Sequence, residues 1–489
     1  MHASSIAMTG RILGRGMGYI VQIFLARILA PDGYGLFAIG WTILRLFSIA
    51  GHLGLDYGVT KFGTQYWEKD QARLKSLIIL SISSAFISGL IFGLTLHAAS
   101  PWLAGIFFKK PELEPILKGV ALTFPLAATL RVLAATSSIQ GKTLYGALSE
   151  DITQPLVQMA IFSLLFSSYG GINAAITSTI ISYTVATIVG FAFVAYLIPN
   201  IFKSTSIITN DLIPLFRYSL PAIAGATLGA FNLWGDRLLV GYFGTKSDTG
   251  IYQSISTLTM FTTIVLSGIK ISAAPAISRM YNNNNHSEIE SLLKSISRWS
   301  LYLTMPILLF VLTNANKIIT IFFGKEYQNG TSSLLILTIG QCFYIMYGII
   351  DQALLMTGKQ KEWLVISTIV FLTTVFLDAI LIPKFHILGA SLVSSAMIFF
   401  LGILSIFYLK NHLNFWLLDK SHLKIIATAL FSGIFSYLLT NQLPFGMAVN
   451  TIFSFFITIS IFTIILFLFG MDPKDKFQIK NIVRRSKEN

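Results

Sequence analysis

Charged residues are scarce in this sequence. Asp, Glu, Lys and Arg make up 11% of the 489 residues, against 54% hydrophobic, and the mean hydropathy is +0.71. Such a balance excludes an ordinary soluble globular protein. Cysteine is nearly absent. Cys342 stands alone inside an apolar run, so neither a disulfide framework nor a paired-cysteine metal site can form, and it reads as a small buried hydrophobe. Also missing are HExxH, a phosphate-cradling glycine loop with its lysine, DxD, and any nucleophile beside a positioned base, so nothing points to an enzyme. Long polar stretches are lacking too. The longest, around 61–75, 280–298 and 410–424, are too short to hold a soluble domain.

What the chain does have is a succession of apolar segments of about 20 residues, long enough for membrane helices and far too long for transmembrane strands. The first is too long, and too soon followed by others, for a cleaved signal peptide. The pattern predicts an all-α integral membrane protein of about fourteen transmembrane helices. They fall near 6–29, 36–60, 76–99, 117–139, 152–169, 173–198, 213–239, 248–279, 294–314, 331–356, 363–382, 387–409, 424–441 and 447–469. A net charge of +14 could suggest nucleic acid, but its placement follows a membrane rule. With the N-terminus inside, the inner loops and helix ends carry 21 Lys and Arg and the outer side about eight, which sets both termini in the cytoplasm. The basic tail, 474–487, belongs to that bias and suits contact with anionic lipid.

The chain also repeats itself weakly. Gly35-Leu36-Phe37 matches Gly250-Ile251-Tyr252, Ile106-Phe107-Phe108-Lys109 matches Ile321-Phe322-Phe323-Gly324, and Gly141-Lys142 matches Gly358-Lys359, at offsets of 215, 215 and 217. Each pair holds the same place in the helix pattern. Six helices per half is an even number, so both halves enter the membrane from the same side and form parallel repeats. The expected organisation is a six-helix lobe at 1–205, a second at 206–412, an extra helix pair at 413–470 and a basic tail at 471–489, with the two lobes around a central cavity.

Intramembrane charge carries the functional signal. On a continuous second helix, Arg45, His52 and Asp56 fall within roughly 40° of one another, beside Ser48, over about 16 Å of axis. Charges facing lipid at that depth are costly, so the stripe is expected to face a polar cavity or protein. On the first helix Arg11, Arg15 and Gln22 share a face, and Gly10, Gly14 and Gly18 form a ridge for close packing. Two readings stand for Arg11 and Arg15: the wall of a cationic cavity, or snorkelling to the headgroups. Asp56 matches Lys270 to within a residue of the repeat, and Arg131 lies three residues from the position matching Asp351.

A cavity lined by guanidinium and ammonium groups suits an anion such as phosphate. The alternative for Asp56, Arg131, Lys270 and Asp351 is a set of structural ion pairs between lobes. Asp351 and Asp378, with His52 and Asp56, are the candidates for coupling to H+ or Na+; no other cofactor is implied. Asp378, near the outer end of helix eleven, equally suits plain interfacial solvation. Asp236-Arg237 reads as a local pair. His97, His286, His386, His412 and His422 read as interfacial, and Pro221 and Pro275 as kinks that could serve as bending points.

With these residues in place, the opening 10–62 resembles the polysaccharide-export branch of the multidrug/oligosaccharidyl-lipid/polysaccharide (MOP) superfamily, the O-antigen flippases in particular. The resemblance rests on the arginine-bearing first helix, the Leu-Ala-Pro-x-x-Tyr-Gly-Leu-Phe turn (29–37) and Gly-Leu-Asp-Tyr-Gly (54–58), and continues through the IFF and Gly-Lys landmarks. It implies a MATE-like, fourteen-helix fold and a non-enzymatic flippase of the bacterial inner membrane. Such a flippase carries undecaprenyl-pyrophosphate-linked oligosaccharide, O-antigen or another surface polysaccharide repeat unit, from the cytoplasmic to the periplasmic leaflet by alternating access. The implied partners are that lipid-linked oligosaccharide, membrane lipids, and a polysaccharide polymerase with its chain-length regulator. Lipid II flippases of the same superfamily carry functional arginines on helices one and two, positions that Arg11 and Arg45 match; for the second lobe this chain offers chiefly Lys270. A cation-coupled multidrug exporter shares the architecture, but cationic drugs do not suit a cavity lined by arginine. A membrane glycosyltransferase or polymerase would need a sizeable outer loop, and a non-transporting scaffold would have no use for charge at mid-bilayer.

Overall fold

The computed structural model describes residues 2–199, 201, 212–283, 285–413, 416–440, 446–473, 475 and 476, but not the side chains of 2–13, 15, 221, 222, 224, 271, 272 and 470. All regular structure among the described residues is helical. Its longer elements are α1 (His2–Gly51), α2 (Leu55–Tyr66), α3 (Gln71–Trp102), α4 (Glu114–Ser137), α5 (Thr143–Ala147), α6 (Gln154–Tyr169), α7 (Gly171–Leu197) and α8 (Leu212–Phe243). They continue with α9 (Lys246–Phe261), α10 (Ile264–Asn282), α11 (His286–Phe322), α12 (Thr331–Tyr347), α13 (Ile350–Met356), α14 (Gln360–Leu413), α15 (Lys420–Thr440) and α16 (Met447–Ile465). Nine described helices are long and apolar enough to cross a membrane, ten when α9 and α10 count as one broken span. α1 and α14 each contain two helices joined where a residue takes positive φ, Ala30 just ahead of Pro31 and His386 just after Pro383.

Three expected helices are interrupted. Helix two breaks at His52–Gly54, helix eight at Thr262–Thr263, ahead of Pro275, and helix ten at Gly348–Ile349. The first break is the sharpest. Leu53 and Gly54 take φ of 53° and 66° in succession, a left-handed pair that no right-handed helix can pass through. Gly54 is required twice over, for that φ and because a Cβ there would come within 2.4 Å of the Ser219 carbonyl on α8.

The chain divides into two compact units, residues 1–257 with 375–390, and residues 258–374 with 391–489. Packing defines these units and repetition defines the six-helix lobes, so neither division tests the other. In the first unit, Leu55 and Val59 of α2, Leu74, Leu77 and Ile78 of α3, Val132 and Leu133 of α4, Val194 of α7 and Leu215 of α8 form one buried cluster. The two repeat-related glycines meet in the same unit. A Cβ on Gly35 would lie 1.9 Å from the Lys246 carbonyl oxygen, and one on Gly250 would lie 2.0 Å from that of Pro31. α1 and α9 therefore cross backbone against backbone, which only glycine permits.

Lys110, between α3 and α4, is buried at 7% exposure. Its ammonium donates to the carbonyls of Gly241 (2.6 Å) and Gly244 (2.9 Å), capping the end of α8. Burial, and next the charge of Lys246, push its pKa below the ordinary lysine value, with Asp248 opposing.

In the second unit, α10, α11, α13 and α14 share a core of Ile277, Leu293, Ile296, Ile350 and Leu409. α15 and α16 join α11 through Leu301, Leu308, Ile425 and Phe462. A polar clasp secures that junction. Arg298 on α11 donates to Asp475 from Nε at 2.7 Å and from Nη2 at 3.1 Å, and reaches Asp419 at 3.4 Å. His422 is 1% exposed, with Nδ1 2.9 Å from Asp419 Oδ1 and Nε2 2.9 Å from Ser297 Oγ. It is a buried member of the clasp, not the interfacial histidine its place at a helix end suggested. The tail from 477 onward lies outside the described residues.

Candidate functional site

The interruption of helix two builds the first polar cluster. Because the chain turns at 52–54, His52 folds back onto the first turn of α2, placing Nδ1 3.5 Å from Asp56 Oδ1 and 3.2 Å from the Gly54 amide, which donates to it. The broken backbone, and not a straight stripe, brings these two side chains together. Arg131 on α4 reaches Asp56 from the other side. Its Nε donates to Asp56 Oδ2 at 3.3 Å, while Nη1 donates to both oxygens of Glu150 at 3.3 and 3.2 Å. Asp56 Oδ1 is buried without a hydrogen bond. The Arg131 side chain is 48% exposed, so the cluster is open along its arginine side and closed at its aspartate.

The second unit holds a pair of inverted sign. Lys270 on α10 donates to Asp351 on α13 at 2.7 Å and to the Tyr344 hydroxyl on α12 at 3.1 Å. Asp56 and Lys270 match in the repeat, and Arg131 and Asp351 nearly so. Each unit thus ties together helices at matching sequence offsets, with the charges exchanged. Both pairs close within their own unit; neither joins one unit to the other.

Arg45 is arranged differently. Its guanidinium carbon lies 5.3 Å from the ring centre of Trp41 and 5.4 Å from that of Trp234 on α8. Among the described residues no carboxylate comes within salt-bridge distance of it, and its guanidinium donates no hydrogen bond. Arg45 is exposed, within the span Gly16–Gly51 and six residues before its end. Aromatic faces stabilise a guanidinium without consuming its N–H donors, so this cation keeps its whole fork for an incoming anion. It makes neither a hydrogen bond nor an ion pair with His52 or Asp56, although the sequence set the three on one stripe.

Asp378, in the 375–390 segment of the first unit, is fully buried with neither carboxylate oxygen hydrogen-bonded, far from the solvated position its place in the sequence suggested. Its charged neighbour is Asp236, which accepts a hydrogen bond from Tyr252 at 2.6 Å and pairs with Arg237 at 3.4 Å, the local pair expected there. The side chains of Arg11 and Arg15 lie outside the described residues. On the glycine ridge, a Cβ on Gly14 would come within 2.3 Å of the Asp151 Cβ, whereas Gly18 has open space.

Sequence reasoning passed over Glu150, Tyr344, Trp41 and Trp234. Trp41 was within reach of it, standing one helical turn before Arg45. Glu150 and Trp234 lie 19 and 189 residues from the arginines they meet, and no local signal marks such pairings.

Comparison with known proteins agrees with this architecture. Residues 24–331 match the family described as "Polysaccharide biosynthesis protein". A relative in Haloferax volcanii, described as "Probable low-salt glycan biosynthesis flippase Agl15", is 26% identical over 410 residues, 82% of each chain. Among solved structures, the lipid II flippase MurJ in an inward closed conformation aligns with a TM-score of 0.74 at 17% identity, over 94% of this chain and 97% of that one. An inward-facing multidrug resistance MATE family transporter of the MOP superfamily aligns at 0.71 and 13% identity, over 82% and 94%. At these identities the likeness to the solved structures is one of fold.

Proposed function

The chain belongs to the polysaccharide biosynthesis protein family, and from that premise we propose that it is a flippase of the MOP superfamily that moves undecaprenyl-pyrophosphate-linked oligosaccharide across the bacterial inner membrane. The cargo is an O-antigen or other surface polysaccharide repeat unit, carried from the cytoplasmic to the periplasmic leaflet by alternating access, with no covalent chemistry on the glycan. The excess of Lys and Arg on the inner side, 21 against about eight, supports cytoplasmic termini. A polymerase and chain-length regulator would take up the translocated unit.

One observation carries the reading. Arg45 sits exposed inside the span Gly16–Gly51, held by two indoles and unopposed by any carboxylate among the described residues. An uncompensated cation within a membrane span is costly unless an anion visits it, and a guanidinium fork fits the oxygens of a diphosphate. Arg11 and Arg15 add positive charge from the first helix. Arg131 and Lys270 contribute from the polar faces of their units, each already steadied by a carboxylate. Replacing Arg45 with alanine should abolish surface glycan export while leaving the amount of protein in the membrane unchanged, and Arg45→Lys should retain a fraction of it. Full export by Arg45→Ala, read as surface glycan by immunoblot, would overturn the assignment.

Energy coupling belongs to the carboxylates. A buried carboxylate without a hydrogen bond is stable when it holds a proton or a cation, so Asp378 is the first place for a coupling H+ or Na+, with Asp351, Asp56 and His52 as the others. In vesicles, transport should respond to one imposed gradient, and Asp378→Asn should remove that response.

A further inference from the structure

The two indoles around Arg45 are not equivalent. Trp41 is 8% exposed, and it is also stacked on Phe37, with ring centres 6.2 Å apart and planes within 19°. Arg45 and Phe37 thus occupy it. Trp234 is only partly buried and has no ring contact besides Arg45 among the described residues. α8 presents it from a fixed position: two residues on, Asp236 is tied to Arg237 and Tyr252, and Phe231 meets Phe47 of α1 edge to face at 6.4 Å. One indole is committed to holding the arginine, and the other has aromatic surface to spare beside it.

We propose that Trp41, Arg45 and Trp234 form a two-part subsite, in which the Arg45 fork takes the diphosphate and the uncovered indole surface of Trp234 stacks on the first pyranose of the glycan. The proposal rests on the diphosphate reading above and adds to it the recognition of the sugar. In a prenyl-diphosphate-linked glycan the reducing sugar is bonded through its C1 oxygen to the second phosphorus, so a ring that recognises this sugar must stand next to the group that grips the phosphate. Trp234, 5.4 Å from the Arg45 guanidinium carbon, stands there. The C–H face of a pyranose is apolar, and a large rigid aromatic surface is the complement to it. Such stacking reads the presence of a ring and its face more than its hydroxyl pattern. Trp234 is therefore a positioning and specificity residue for cargo that has a pyranose directly on the diphosphate.

The test is equilibrium binding to the full chain in nanodiscs of two probes, farnesyl diphosphate and farnesyl diphosphate carrying a single glucose. Wild type should bind both, the sugar-bearing probe more tightly. Trp234→Ala should weaken the sugar-bearing probe roughly tenfold more than it weakens farnesyl diphosphate, the order expected for one aromatic contact, with farnesyl diphosphate losing only what the second of the two indoles lends to Arg45. Trp234→Phe should keep most of the difference between the probes. Trp234→Leu, which preserves apolar volume, should behave like Trp234→Ala and guards against a folding defect. Equal loss for both probes would mean that Trp234 only props Arg45, and no loss for either would mean that it touches neither group; each result overturns the subsite. If wild type binds the two probes equally, sugar recognition fails while the diphosphate reading survives. If wild type binds neither, the diphosphate reading falls and the subsite with it.

Discussion

The pair Lys270–Asp351 separates structural from substrate roles for an intramembrane cation. The lysine donates to Asp351 at 2.7 Å and to Tyr344 at 3.1 Å, with side-chain exposures of 13% and 27% for the two charged partners. Lys270→Met removes the cation and strands the carboxylate. Breaking a fully buried pair in this way costs about 3–5 kcal/mol; solvent at Asp351 screens part of that, so the expected loss is nearer about 2 kcal/mol. Replacing both members by apolar residues of similar size, Lys270→Met with Asp351→Leu, leaves no stranded charge and should regain most of the stability. Thermal unfolding of the purified variants in nanodiscs reads this as a fall of a few degrees for the single variant and near-recovery for the double. Surface glycan export, measured alongside, reads the other role: if Lys270 also serves the diphosphate, the double variant is stable yet exports poorly. A double variant that exports fully would confine Lys270 to its ion pair. A single variant as stable as wild type would refute the energetic argument itself.

Two further expectations follow from packing and charge. Gly35→Ala drives a methyl to within 1.9 Å of the Lys246 carbonyl oxygen. It should therefore lower the unfolding temperature by the equivalent of about 1–3 kcal/mol, whereas Gly16→Ala, which meets nothing within 4 Å, should be neutral or slightly stabilising; equal effects would refute the backbone crossing. At Asp419, burial alone would raise the carboxyl pKa, but the bond to His422, that residue's charge and the charge of Arg298 together hold it below the ordinary value. The stabilisation this gives is complete above the unfolded-state value, about 3.9, and is lost as pH falls through the folded one. Asp419→Asn should thus flatten the loss of stability on acidification below about pH 4; an acid-unfolding curve that matches wild type would exclude Asp419 as a contributor.

Much of the molecule can be read from the chain because lipid imposes local rules. Apolar runs must be helices, an excess of lysine and arginine marks one side, and a cation inside a span, such as Arg45, must face something other than acyl chains. All three follow from residues near one another in sequence. The repeat is legible for the same reason, since Gly35 and Gly250 recur at a fixed offset. That these two glycines press against each other is not legible, because an offset says which residues are equivalent and nothing about which ones touch.

The candidate site shows where such reasoning stops. His52 and Asp56 were singled out together, but through a straight helix that the left-handed pair Leu53 and Gly54 prevents. Gly54 by itself does not announce a break; the Ser219 carbonyl packed against it, 165 residues away, makes glycine the residue that fits. His422 at a helix end looked solvated, and Arg298 and Asp475 enclose it in a buried clasp. Asp378 looked interfacial and is sealed from solvent.

By itself, then, the sequence determined the membrane helices, the family and the presence of scarce charges within them, since each depends on hydropathy, composition or short spacing. Only the tertiary structure decided which charge is neutralised by which, where helices break, and that Arg45 is held by two tryptophans with no carboxylate at salt-bridge distance among the described residues. The reason is physical: a charge inside a membrane is given its role by its partner, and the partner arrives from a helix that sequence order does not place beside it.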